Sequence, residues 1–408
     1  MKVLLRFAGV LGVVVGLQLF ACIDVDGAVT GFCADKPEAL GCSDGGADAG
    51  DGGTGEIPDG GYEPPGWKEG PDMDTPRAGH TATKLSDGSV LVVGGEQSAG
   101  QPVAGVELYL PKENRWKLTG SLKTARADHT ATLLSGDRVL VVGGRGPNGL
   151  DLSSAEIFDP VSKTWSPAGT MPSGARASHA AALLPSGEVL VAGGGMGAMM
   201  GNSDLYSPGS GTWRSAGSLK DLRNTLTLTV VNGKAVAIGG FNSFGALATA
   251  EQYDPPPSGT GWSALPGQMA ERRNGHAATP LLSGKVLVTG SRVGSNPAQV
   301  SAAVELLDMA GPSWSTQPSL KEARFGHTAT ELMSGQVLVT GGWKDDHQTP
   351  RASAELYLPG GGWTLIAPMS TARAFHTATR LDSGAVLIVG GVTSTGMVRS
   401  TERYVPER

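Results

Sequence analysis

Residues 323–342 read ARFGHTATELMSGQVLVTGG, and this order of chemistry decides the fold. Arg324 and His327 open a short polar run, Ser334-Gly335 makes a tight turn, and the apolar run Val337-Leu338-Val339 closes on Gly341-Gly342. Two short runs of strand character joined by a glycine turn predict a β-hairpin. Glu355 and Tyr357 then mark a third strand, and Trp363 a fourth.

The same order recurs seven times between Trp67 and Tyr404. The opening histidines are His80, His129, His179, His276, His327 and His376, with Leu226 in the fourth copy, at spacings of 49, 50, 47, 50, 51 and 49 residues. A fixed period in this range signals a propeller, a solenoid or another array. No unit carries a helical stripe of apolar residues. Each unit instead holds four short runs of strand character, the make-up of a propeller blade.

Glycine pairs close the second strand at Gly94-Gly95, Gly143-Gly144, Gly193-Gly194, Gly239-Gly240, Gly341-Gly342 and Gly390-Gly391, with Gly290-Ser291 in the fifth copy. An acid two residues before a ring follows: Glu107/Tyr109, Glu156/Phe158, Asp204/Tyr206, Glu251/Tyr253, Glu355/Tyr357 and Glu402/Tyr404, with Glu305/Leu307 in the fifth copy. Trp116, Trp165, Trp213, Trp262, Trp314 and Trp363 complete the pattern. An apolar run into Gly-Gly, then Tyr, then Trp resembles the kelch repeat. The resemblance covers residues 66–408. It implies an all-β, seven-bladed kelch-type β-propeller with four antiparallel strands per blade. It does not settle activity, because kelch-like propellers serve as protein-binding modules, sugar oxidases and sugar epimerases.

The last copy runs from Arg373 through Tyr404 and stops before its tryptophan, while a spare Trp67 precedes the first copy. Residues 66–68 are therefore expected to supply the outer strand of the last blade, which closes the ring and covers an exposed edge. With strands lettered a to d outward from the central channel, the b–c and d–a loops share one face.

The remainder of the chain reads as leader and tether. Residues 1–21 look like a bacterial lipoprotein signal peptide: Lys2 and Arg6, an apolar stretch, then Leu19-Phe20-Ala21 before Cys22. Cys22 is then the lipidation site and the only route to a membrane. Ile23 after it favours the outer membrane over inner-membrane retention. In residues 22–65, Cys33 and Cys42 are expected to pair in an oxidising compartment, and residues 43–61 form a Gly/Asp-rich flexible linker. A net charge of −6 with no basic tract argues against nucleic-acid binding. A monomer is expected.

An arginine stands three residues before each histidine position: Arg77, Arg126, Arg176, Arg223, Arg273, Arg324 and Arg373. One arginine and one acid per blade on the same face argues for structural ion pairs. The histidines recur too often for a single catalytic base and are expected to bond between strands. A ligand site should lie where the repeats differ, because shared positions serve the blade. The b–c loop of the sixth blade differs most: Trp343, Lys344, Asp345, Asp346 and His347, then Arg351. Neighbouring loops add Arg145, Phe241, Phe244, Arg292 and Arg399. Two readings of Trp343 stand open, an aromatic plane for a ligand or a side chain packed against the next blade.

The expected function is a surface-tethered binding or scaffold module for a protein or carbohydrate ligand, without cofactor. The alternative is a carbohydrate-active enzyme, sialate-epimerase-like, using Arg, Glu and His at the channel mouth. Oxidase chemistry of the galactose-oxidase kind needs a Tyr–Cys thioether beside copper, and the propeller contains no cysteine.

Overall fold

The computed structural model of the chain describes residues 63–407, apart from 196–198, 256–258, 260, 294–298 and 346–347. The expectations for Cys22, Cys33, Cys42 and the acidic linker, and for Asp346 and His347, lie outside the described residues.

In the sixth blade strand a is Thr328–Glu331, b Val337–Thr340, c Ala354–Leu358 and d Gly362–Ile366, each antiparallel to the next. Seven such four-stranded sheets are present. Their inner strands are Thr81–Lys84, Thr130–Leu133, Ala180–Leu183, Thr227–Val231, Ala277–Pro280, Thr328–Glu331 and Thr377–Arg380. Each inner strand neighbours those of the blades on either side, and the last neighbours the first, so the ring closes around a channel. No α-helix occurs among the described residues, so none could cross a membrane.

The b strands explain the packing. Val90–Val93, Val139–Val142, Val189–Ala192, Val337–Thr340 and Val386–Val389 are buried at every position. Both faces of a blade press on neighbouring blades, so these strands are continuously apolar rather than alternating. One cluster joins Leu91, Val93 and Val106 of the first blade to Val139, Val141, Phe158 and Trp165 of the second. Burying each such side chain contributes about 1.5–3 kcal/mol.

Tryptophan stitches the outer rim. Trp116, Trp165 and Trp363 donate from Nε1 to the carbonyls of Pro71, Gly120 and Pro318 in the preceding blade, at 2.9, 2.7 and 2.9 Å. Trp67 takes this role in the last blade. Gly66–Glu69 pairs with Thr401–Val405, the Trp67 ring lies 5.3 Å from that of Tyr404, and its Nε1 donates to Ala367 O at 2.6 Å. The ring is therefore closed by strands from both ends of the propeller.

The glycine pair at the end of strand b makes room for the next blade. A Cβ on Gly94 would lie 2.5 Å from Arg126 O and 2.9 Å from the His129 ring. Where Ser291 replaces the second glycine, the strand does not turn away. Lys285–Arg292 runs on and pairs with Val300–Asp308 as the longest hairpin of the ring.

Candidate functional site: the channel mouth

Each repeated arginine is buried and bonded to its own blade. Arg77 Nη2 meets Glu107 Oε1 at 2.7 Å, and Nη1 donates to the carbonyls of Gly94 and Gly105. Glu107 also accepts the backbone N–H groups of Asp74 and Thr75. The same pair forms in the other blades as Arg126–Glu156, Arg176–Asp204, Arg223–Glu251, Arg273–Glu305, Arg324–Glu355 and Arg373–Glu402. Asp204 is one methylene shorter, and the Ser173 hydroxyl donates to its other oxygen at 2.8 Å. Burial lowers the pKa of each arginine whose shift is resolved, and the paired carboxylate opposes that shift. These charges hold the d–a loop to the b–c end of the blade and are not displayed to solvent.

The histidines reach across blades. His80 Nε2 is hydrogen-bonded to Thr377 Oγ1, His129 to Thr81, His179 to Thr130, His276 to Thr227 and His376 to Thr328, all at 3.0–3.1 Å. Thus the first residue of each inner strand meets the histidine of the following blade. Where Ala180 takes the threonine position, Leu226 takes that of histidine, and the two join one apolar cluster. Where Ala277 takes it, His327 turns to Thr289 at 2.9 Å. Burial pushes His80, His179 and His276 down to about 3, the nearby arginine adding to the effect, and His129, His327 and His376 lie well below the usual value for the same reasons. All six are neutral over the physiological range.

The residue before each histidine position forms the rim of the channel. Gly79, Asp128, Ser178, Thr225, Gly275, Gly326 and Phe375 all have φ between 48° and 63°. Backbone hydrogen bonds run along the rim: Asp128 N donates to Gly79 O, Ser178 N to Asp128 O, Thr225 N to Ser178 O, Gly326 N to Gly275 O and Phe375 N to Gly326 O. This inter-blade ladder needs the left-handed turn. Glycine supplies it freely, whereas a side chain there costs about 1–3 kcal/mol. The sequence carried a signal for this rim: Arg-x-x-His recurs in six of the seven copies, with Leu226 in the fourth, while the residue before that position is Gly in three copies and Asp, Ser, Thr or Phe in the others.

A shallow, open cavity of about 300 Å³ lies at the mouth, lined by Gly79, Asp128, Ser178, Thr225, Thr227 and Leu226 together with His80, His129, His179 and His276. Asp128 is the one carboxyl group in this lining. Its Oδ2 meets Arg145 Nη2 at 2.9 Å, and the same nitrogen meets Glu96 Oε1 at 2.6 Å. Burial raises the Asp128 pKa, and Arg145 opposes the rise. On the other arc of the rim, Phe375 is 40% exposed and lies over Gly326, where a Cβ would come within 2.7 Å of its ring.

The described loop residues among those singled out from the sequence do not gather into one exposed aromatic and charged cluster. Trp343 is 3% exposed and packs with Phe325 and Ala374, so its ring offers no open plane. The physical reason is its backbone bridges to Phe325 and Pro350, which turn the side chain under the rim. Lys344 is exposed, and Asp345 accepts the backbone N–H groups of Gln348 and Thr349. Arg351 is bonded to Glu322 and to Ala323 O, Arg399 to Asp72, and Arg145 to the two acids above. Phe244 stands 89% exposed on the hairpin formed by Phe241–Asn242 and Gly245–Ala246, while Phe241 and Arg292 are half-buried. Among the described residues of this set, Arg145 alone reaches the mouth, through Asp128.

Fold and repeat together define the class: a seven-bladed kelch-type β-propeller. The family model described as "Kelch motif" matches residues 126–172, one repeat of the seven. Among solved structures the chain is similar to a fungal alcohol oxidase with catalytic diversity among the AA5 family, in complex with copper. The two are 18% identical with a TM-score of 0.70, covering 83% of this chain and 76% of that one, a likeness of fold. No curated protein matches the sequence. The residues of this propeller do not fit a copper centre of the galactose-oxidase kind. All three cysteines precede it, and no three His, Cys, Asp or Glu side chains gather in metal-binding geometry among the described residues.

Proposed function

We propose that this propeller is a non-catalytic binding module for a protein or glycan, and that its ligand seats on the face built from the b–c and d–a loops. One observation carries the reading. The repeated polar groups are engaged within the ring: seven arginines with carboxylates and backbone carbonyls, and the histidines of six blades through Nε2 with threonines. Variation is left to the rim and loops, where four strained non-glycine residues are held on the mouth. An epimerase-like use of the arginine ring would have to break buried ion pairs, a step that costs about 3–5 kcal/mol when one partner is left alone.

Immobilised propeller screened against glycans and envelope proteins, with products followed by NMR, tests this reading. Saturable binding without turnover, with amide-exchange protection on the loop face, is expected. Turnover of a sugar substrate would refute it. The proposed setting is the outer membrane, through acylated Cys22. Cys22→Ala should move the protein from the membrane pellet to the soluble fraction, since acyl chains supply the strong membrane affinity. Retention of the variant in membranes would refute the anchor.

A further inference from the structure

We infer that the mouth cavity is a binding site for a small polyhydroxylated ligand bearing a primary ammonium group, such as an amino sugar, with Asp128 as the anchor for the cation. This deepens the binding-module reading and rests on it.

The inference begins with charge. The cavity lining contains neutral histidine rings, the hydroxyl residues Ser178, Thr225 and Thr227, the apolar Leu226 and a single carboxylate, Asp128. No arginine or lysine lines it, because the arginines of the repeat are turned into the blades. Such a lining offers nothing to balance a carboxylate or phosphate ligand. The triad behind it is one positive charge short: Glu96 and Asp128 share a single nitrogen of Arg145, two acids on one guanidinium. Oδ2 of Asp128 is used in that bond, while no hydrogen bond to Oδ1 occurs among the described residues. Oδ1 reaches over the neighbouring rim, 2.7 Å from where a Cβ on Gly79 would stand. Glycine at 79 thus leaves the carboxylate room at the mouth.

An ammonium group meeting Oδ1 would neutralise the triad and make a charge-assisted hydrogen bond. Hydroxyls of the same ligand would face the threonine and serine side chains across the cavity. The backbone supports Asp128 in this role: left-handed φ is better tolerated by Asp and Asn than by most side chains.

The test is calorimetric titration of the full chain with D-glucosamine, N-acetyl-D-glucosamine and D-glucose at about pH 6, where the amine is protonated. Glucosamine should bind about tenfold more tightly than the other two, the value of one charge-assisted bond. Asp128→Asn keeps the shape and the left-handed propensity, and should reduce the three sugars to equal affinity in a variant that still unfolds in one cooperative transition. If glucosamine fails to bind, or binds no better than its acetylated form, the inference is overturned on the unmodified protein alone. If the preference survives Asp128→Asn in the folded variant, it is likewise overturned. In either case binding of another ligand on the loop face would leave the broader reading standing, and turnover would remove both.

Discussion

Threonine is a poor choice for a left-handed backbone. Its branched Cβ crowds the following carbonyl, yet Thr225 holds φ at 48° on the rim, where Gly79, Gly275 and Gly326 do the same work in other blades. The strain costs about 1–3 kcal/mol, while glycine would cost about 0.5–1 kcal/mol in extra unfolded-state entropy. The first term is the larger, so Thr225→Gly should leave the propeller as stable or about 1 kcal/mol more stable. Chemical denaturation reads this directly, and a loss above about 1 kcal/mol would show that the side chain stabilises the rim. The rim was half legible in the sequence. Three glycines before histidine told that the position favours positive φ, but the Asp, Ser, Thr and Phe copies concealed that all seven share it. For Trp343 the sequence offered burial as one of two readings and could not choose between them. The burial depends on backbone bridges to Phe325 and Pro350, which loop length alone does not reveal.

At the scale of the element, the junction between blades is a latch of histidine on threonine. The third and fourth blades replace both halves together: Ala180 stands for threonine and Leu226 for histidine, and the leucine side chain fills the space over Gly193 that a histidine ring fills over Gly94. Leu226→His alone should bury an imidazole whose Nε2 meets only the Ala180 methyl, and an unsatisfied buried polar group costs about 1–3 kcal/mol. Adding Ala180→Thr should restore the hydroxyl and recover at least about 1 kcal/mol of that loss, a coupling measurable in a double-mutant cycle. Additive effects would show that the latch does not hold these blades together. Strand order was readable within one repeat, and period and blade count from its recurrence. The latch was not, since its two halves lie 48 or 49 residues apart in most copies and meet only when neighbouring sheets pack. The paired departure at 180 and 226 is the sequence trace of that contact.

For the whole molecule, the ring carries six buried neutral histidines, and this sets its response to acid. In the unfolded chain each takes up a proton near pH ~6.5. In the folded propeller His80, His179 and His276 do so only at about 3, and His129, His327 and His376 are also held well below the usual value by burial. Through the window between these values the unfolded state binds more protons, so stability is fully present above the unfolded pKa and drains away as pH falls toward the folded one. Each histidine contributes a slope near ~1.4 kcal/mol per pH unit. Asp128 and Asp204, whose pKa values are raised by burial, act with opposite sign, gaining stability as pH falls. They are two groups against six, so the histidines set the sign of the response. Closure by Gly66–Glu69 makes the ring one cooperative body, so the loss should appear as a single transition rather than blade by blade. The melting temperature should fall steeply between about pH 6 and pH 4. Proton uptake on unfolding at about pH 5, read from calorimetry in buffers of different ionisation enthalpy, should approach six, one for each buried histidine. A flat melting temperature across that range would mean that the rings take up protons without leaving their threonine partners, and the neutral latch would have to be abandoned.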